Sequence, residues 1–206
     1  MQISQREAAA VIGARGISRE VARRLLVAGL AGPGSPIGRA ITYRAEAVDQ
    51  VARRLSARAL DLHGPAQDGL VLLRVSPLRP TVVAALSADP LALMVGPWRM
   101  SVWSRVGFQD QFLRYGTIPV VTTVSGFVVA GGEITKLSAA PAVSTGAWEM
   151  PRCTFEVRPP SGTWFVPFAD TVMTGKPGTQ WQWWPYEPSR VRAWLGTLAE
   201  RSEPGR

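Results

Sequence analysis

The feature that most constrains this chain is a break in pattern near residue 63. Before it the sequence is rich in Ala, Arg and Leu, with apolar residues at helical spacing. After it come Pro, Gly, Trp, Val and Thr, with stretches that alternate. A 3.6-residue period and a 2-residue period call for different elements, so the two halves must be built differently. Between them, His63-Gly-Pro-Ala-Gln-Asp-Gly69 carries turn formers and reads as a linker over 63–69. The expected division is therefore a helical domain over 1–62 and a β-rich domain over 70–206, an α+β chain.

The first half has several start and stop signals. Ser4 and Glu7 fit a capping box, in which each side chain satisfies a free N–H of the first turn. Ala8, Ala9 and Ile12 follow as one apolar stripe. Gly13 to Gly16 is a short turn. Ser18 caps a second helix with Val21, Ala22, Leu25 and Leu26 on one side, and Gly29 ends it. Leu30 to Pro36 is a loop, and Ile37 to Arg44 reads as a small β-hairpin arm. A third helix is expected over roughly Ala45 to Leu62, with Val48, Val51, Ala52, Leu55, Ala59 and Leu62 at helical spacing.

The second half reads as strands: Trp98 to Val102, Ile118 to Val124, Gly126 to Val129, Glu133 to Leu137, Arg152 to Arg158 and Thr163 to Phe168. In the fifth of these, Cys153, Phe155 and Val157 point inward. Thr81 to Val95 is ambiguous. An amphipathic helix from about Ser189 closes the chain, with Val191, Trp194, Leu195 and Leu198 on one stripe.

Charge is unevenly placed. The formal net charge is +8, and residues 1–60 hold ten arginines against four acids, a net of +6. All basic charge there is arginine, whose planar fork suits phosphate and guanine edges. Helix, tight turn, helix, glycine-bounded loop, basic β arm, helix is the order of a small winged helix-turn-helix. In that arrangement a basic surface points to nucleic acid.

The residues carry a resemblance as well. Ser4-Gln-Arg-Glu-Ala-Ala-Ala-Val-Ile-Gly13, Ile17-Ser-Arg-Glu-Val-Ala-Arg-Arg-Leu-Leu26, Gly29-Leu30, and Gly38-Arg39 through Tyr43-Arg44-Ala-Glu-Ala-Val48 together resemble the N-terminal DNA-binding domain of the MerR and excisionase-like family. The likeness covers about residues 3–60. It implies that the second helix, over Ser18 to Ala28, enters the major groove of double-stranded DNA. Arg19 and Arg23 would then touch bases or phosphates, with Arg24 reaching phosphate beside them. It implies a wing in which Arg39 and Arg44 touch the backbone, and Arg15 in the turn adds a phosphate contact. Val21, Leu25, Ile41, Tyr43 and Val48 would form the core. The long dimerising helix of MerR regulators has no counterpart, since a Gly/Pro-rich stretch follows and no heptad run does.

Other classes find little support. One histidine, His63, and one cysteine, Cys153, exclude an internal disulfide framework and most metal or acid–base constellations. Asp110, Glu133, Glu149, Glu156 and Asp170 lie in no catalytic motif, and no phosphate-binding glycine loop occurs, so neither an enzyme nor a cofactor is expected. The longest apolar stretch, Ile118 to Ala130, is too short and too polar for a membrane span. The start MQISQREAAAVIG has no signal-peptide pattern. A cytoplasmic, nucleoid-associated protein follows. Trp181, Trp183 and Trp184, with the closing helix, offer core packing or a homo-oligomer surface. The alternative reading is a structural protein whose β domain mediates assembly on a protein partner, with the helical domain as a docking module.

Overall fold

The computed structural model describes residues 1–76, 88–139, 152–173, 175 and 178–185. Its first elements are β1 (Gln2–Ser4), α1 (Gln5–Gly13), α2 (Arg19–Val27), β2 (Ser35–Ile37), β3 (Ala40–Arg44) and α3 (Ala45–Ala52). The capping box forms as expected. Ser4 Oγ accepts from the Glu7 N–H at 3.3 Å, and the Ser4 N–H donates to the Glu7 carboxylate at 2.8 Å. Ser18 caps α2 through the Val21 N–H. At its other end Gly29 takes φ +77, the Leu30 N–H returns to the Leu25 carbonyl, and the Gly29 N–H to that of Leu26. That pair of bonds satisfies carbonyls the helix would otherwise leave open.

Three expectations for this half are corrected. The helical domain holds more strand than the expected hairpin arm: β1, β3 and β2 form an antiparallel sheet in the order β1-β3-β2. β1 is invisible to periodicity because it has three residues and pairs with residues 42–44. α3 stops at Ala52, ten residues short of Leu62. Of the outlying positions on that stripe, Leu55 is 74% exposed and Ala59 is exposed, while Leu62 packs on the Trp164 cluster of the large sheet, so no continuous buried face rewards a longer helix. Ile41 is 45% exposed. It shares a strand face with buried Tyr43 but lies nearer the hairpin tip, beyond the core. Leu25, Tyr43 and Val48 are buried, and Val21 packs on the same cluster.

The remaining elements are β4 (Leu55–Ser56), β5 (Leu70–Val75), α4 (Ala92–Val95), β6 (Trp98–Arg99), α5 (Val102–Tyr115), β7 (Ile118–Val124), β8 (Phe127–Ala139), β9 (Arg152–Arg158), β10 (Thr171–Val172) and β11 (Trp181–Trp184). They form one mixed sheet whose path is β11-β5-β7-β8-β10-β4, with β9 also on β8 and β6 on β9. β5 and β7 run parallel; β7 and β8 form a hairpin. Its turn is Ser125-Gly126, both at positive φ, which matches the right-handed twist of the flanking strands.

The central strands are covered on both faces. Val71, Leu73, Ile118 and Val120 pack with Phe108 and Phe155 on one side. Leu70, Leu72 and Val121 pack with Trp164 and Phe168 on the other. Strands buried on both faces read as continuous apolar runs, as Leu70-Val-Leu-Leu73 does.

Here too the structure differs from expectation. Trp98 to Val102 is a two-residue strand followed by the start of α5. Gly126–Val129 and Glu133–Leu137 belong to the single strand β8, preceded by the turn. Gly131 and Gly132 sit in its interior because other groups come too close for a side chain. A Cβ at Gly131 would strike the Phe165 ring, and one at Gly132 would lie 2.8 Å from Val157 Cγ1. Thr163–Phe168 is a turn ending in a 3-10 segment, Val166–Phe168. Segment 63–69, expected as a linker, holds a 3-10 turn whose Ala66 is fully buried. The closing helix expected from Ser189 lies outside the described residues.

The halves share a core. Val124 and Phe127, at the β7–β8 turn, belong to the cluster formed by α1, α2 and α3. β4 pairs with β10, and the Ala57 N–H donates to the Val172 carbonyl at 2.9 Å.

Candidate nucleic-acid interface

α1 and α2 are joined by a turn in which Gly16 takes φ +78. Arg15 lies in this turn and is exposed. On α2 the spacing puts Ala22, Leu25 and Leu26 into the core, each no more than 2% exposed. Arg19 and Arg23, four residues apart, share a side of the helix that remains in solvent. Ser18 stands at the N-terminus of α2 with its hydroxyl engaged as the cap, so its role is to hold the helix start.

Arg24 differs from its neighbours. Its Nε donates to Glu20 Oε1 at 3.0 Å, an i,i+4 pair along α2. A free guanidinium at this position is therefore not observed.

The hairpin presents the other cations. Ile37 pairs with Ala40, leaving Gly38 and Arg39 as the two turn residues. Gly38 has φ +60, a conformation costly for a residue with a Cβ. Arg39 is thereby held at the tip. Arg44 ends β3 and immediately precedes α3. Both are exposed. Among the described residues, Arg15, Arg19, Arg23, Arg39 and Arg44 enter no ion pair. These five come from the helical turn, the exposed side of α2 and the hairpin.

Sequence reasoning passed over Arg53 and Arg54. Arg53 pairs with Asp49 at 3.7 Å on the surface. Arg54 is mostly buried, pairs with Asp170 at 3.2 Å and donates to the Val128 carbonyl at 2.9 Å. Their place inside the expected third helix hid both, since a helix through Leu62 assigns them to a solvated face.

The tryptophans proposed for an oligomer surface are used within the chain. Trp184 is 8% exposed and meets Phe168 edge to face, with ring centroids 5.9 Å apart. Trp181 and Trp183 are half-buried against Phe108 at 5.5 and 5.3 Å. Their rings are thus engaged in the β-rich half on both sides of the sheet. Val191, Trp194, Leu195 and Leu198 lie outside the described residues.

The carboxylates considered for chemistry are occupied. Glu133 is fully buried and receives Nε and Nη2 of Arg158 at 3.0 and 2.7 Å. It also receives the Ser161 N–H at 2.8 Å, the Ser161 hydroxyl, and Trp164 Nε1 at 3.1 Å. Burial alone raises its pKa, but the bonds from Ser161, Arg158 and Trp164 outweigh burial and hold the carboxyl below its usual range. Asp110 pairs with Arg114, and Glu156 with Lys136, both at 2.9 Å. Glu149 lies outside the described residues. Cys153 is buried, which pushes its thiol up against the opposing pull of Arg105. Exposed His63 has Nδ1 2.9 Å from its neighbour's carbonyl at Asp61. Among the described residues no group of three His, Cys, Asp or Glu side chains could hold a metal ion, and no helix is long and apolar enough to cross a membrane.

Comparison with protein-family models, curated proteins and solved structures found no match to this chain.

Proposed function

We propose that the N-terminal half is a winged helix-turn-helix that binds double-stranded DNA, with α2 in the major groove and the β2–β3 hairpin as the wing. One observation carries this reading: five exposed arginines, none in an ion pair among the described residues, occupy the turn, the outer side of α2 and the hairpin. Arg19 and Arg23 contact bases or phosphates of the groove, while Arg15, Arg39 and Arg44 contact flanking phosphates. Arginine at a helix N-terminus adds its fork to the free N–H groups there. A factor of this kind serves transcription or a mobile element.

The test uses the full chain and a fluorescent 30-base-pair duplex, read by anisotropy at fixed salt. The double variant Arg19→Ala/Arg23→Ala is expected to lose at least tenfold in affinity. Arg24→Ala, whose guanidinium is held by Glu20, is expected to lose much less. Unchanged binding by the double variant overturns the placement of α2.

A further inference from the structure

A second basic site lies where the two halves meet. The loop after α2, the end of α3 and the turn at 166–171 line an open cleft of about 1120 Å³. That volume is enough for a small organic molecule. Its apolar wall includes Leu30, Val51 and the exposed Val166, and its cations are Arg44, Arg53 and Arg54. Among the described residues, Asp170 is the sole carboxylate lining it.

The ion pairs around the cleft are easily displaced. Asp170 is 86% exposed and touches Arg54 at 3.2 Å. Arg53 meets Asp49 at 3.7 Å with both side chains largely in water, a geometry that contributes little. Arg44 enters no ion pair among the described residues. Arg54 is different: its Nη1 bond to Val128 fixes the guanidinium against β8. A fixed cation with a displaceable partner, two further cations and an apolar wall suit a negative head on an apolar body.

We infer that this cleft binds a small organic anion, with a phosphate, carboxylate or sulfonate head held by Arg53 and Arg54 and an apolar body against Leu30 and Val51. The anion takes the place of Asp170 on Arg54. Arg44 lines the cleft and ends the second hairpin strand, so an occupant there competes with a duplex phosphate for one guanidinium. This coupling rests on the duplex reading above; binding of the anion does not.

Isothermal titration of the full chain with 1-naphthyl phosphate, without DNA, tests the site. One saturable site is expected, with 1-naphthol and inorganic phosphate each at least tenfold weaker. Asp170→Asn removes the competing carboxylate and should tighten binding about threefold or more. Arg53→Gln should weaken it by a similar factor. Arg19→Ala/Arg23→Ala should leave it unchanged. Absence of saturable binding overturns the inference, as does equal binding of 1-naphthol or of inorganic phosphate. So does indifference to both Asp170→Asn and Arg53→Gln. Loss of the site in Arg19→Ala/Arg23→Ala places the anion on α2 and overturns the cleft assignment. Failure of duplex binding with the titration intact removes only the coupling.

Discussion

Arg54, two residues past the end of α3, crosses to the large sheet and donates Nη1–H to the carbonyl of Val128 on β8 at 2.9 Å. The bond joins residues 74 positions apart and is made by a charged donor in a mostly buried setting, where such bonds contribute about 1.5–3 kcal/mol. Arg54→Met keeps the length of the stem and removes the donor. We expect it to lower unfolding stability by about 1–3 kcal/mol, measured by urea titration. An unchanged midpoint would show that the contact does not tie the halves together.

Salt dependence measures how many phosphates the interface neutralises. With Arg24 engaged by Glu20, five arginines remain for the duplex. The logarithm of affinity should then fall with the logarithm of salt at a slope of about −4 to −5. Anisotropy titrations across a series of potassium chloride concentrations give this slope directly, and a flat dependence contradicts duplex binding.

Glu133 makes stability depend on acid. Its bonds to Ser161, Arg158 and Trp164 hold the folded carboxyl below the unfolded value of roughly 4.3. The stabilisation is therefore complete above that value and is lost as pH falls toward the folded pKa. Glu133→Gln should cost about 2–4 kcal/mol at pH 7. The gap to the parent protein should narrow as pH falls below the unfolded value and close once pH passes the folded pKa. Denaturant titrations at pH 7 and pH 3 check both halves of this expectation.

Phe108 is the hub of the aromatic packing, stacked on Phe155 at 5.5 Å and touching Trp181 and Trp183. Phe108→Ala leaves a cavity among rings that cannot close it, at a cost of about 3–5 kcal/mol. Tryptophan emission should shift to the red as Trp181 and Trp183 meet water. A blue-shifted or unmoved spectrum with parent stability would contradict the packing.

Local chemistry is what made parts of this fold readable. Ser4 with Glu7, Ser18 and Gly29 each act within a few residues of themselves, and each appears where its chemistry requires; the hairpin expected over 37–44 begins earlier, because Ser35 and Pro36 of the expected loop belong to β2. α5 was hidden because its apolar residues form only a weak stripe, and the alternation of Trp98 to Val102 covers no more than its first residue. Its own signals, the cap at Ser101 and the left-handed Gly116, stand at its ends instead. Arg54 and Glu133 were illegible for another reason. Their partners lie across the topology, at Val128 and Asp170 for one, and at Arg158, Ser161 and Trp164 for the other. No spacing rule reaches that far. The five exposed arginines were legible as surface residues because the α1–α2 turn, α2 and the hairpin place them by local chemistry. The cleft was not, because its walls come from segments more than a hundred residues apart.

The burial of Val124 and Phe127 among α1, α2 and α3 bears on how the molecule can search and hold a target. A helical unit whose own core includes the turn of the β7–β8 hairpin is tied to the large sheet by more than the chain between them. If the proposed duplex binding holds, the unit cannot adapt to varied half-site spacings by swinging on a tether. The same seam makes the unit a poor candidate for excision. Cutting after residue 66 would strip it of Val124 and Phe127, so a fragment of that length would lack part of the core on which α1, α2 and α3 pack.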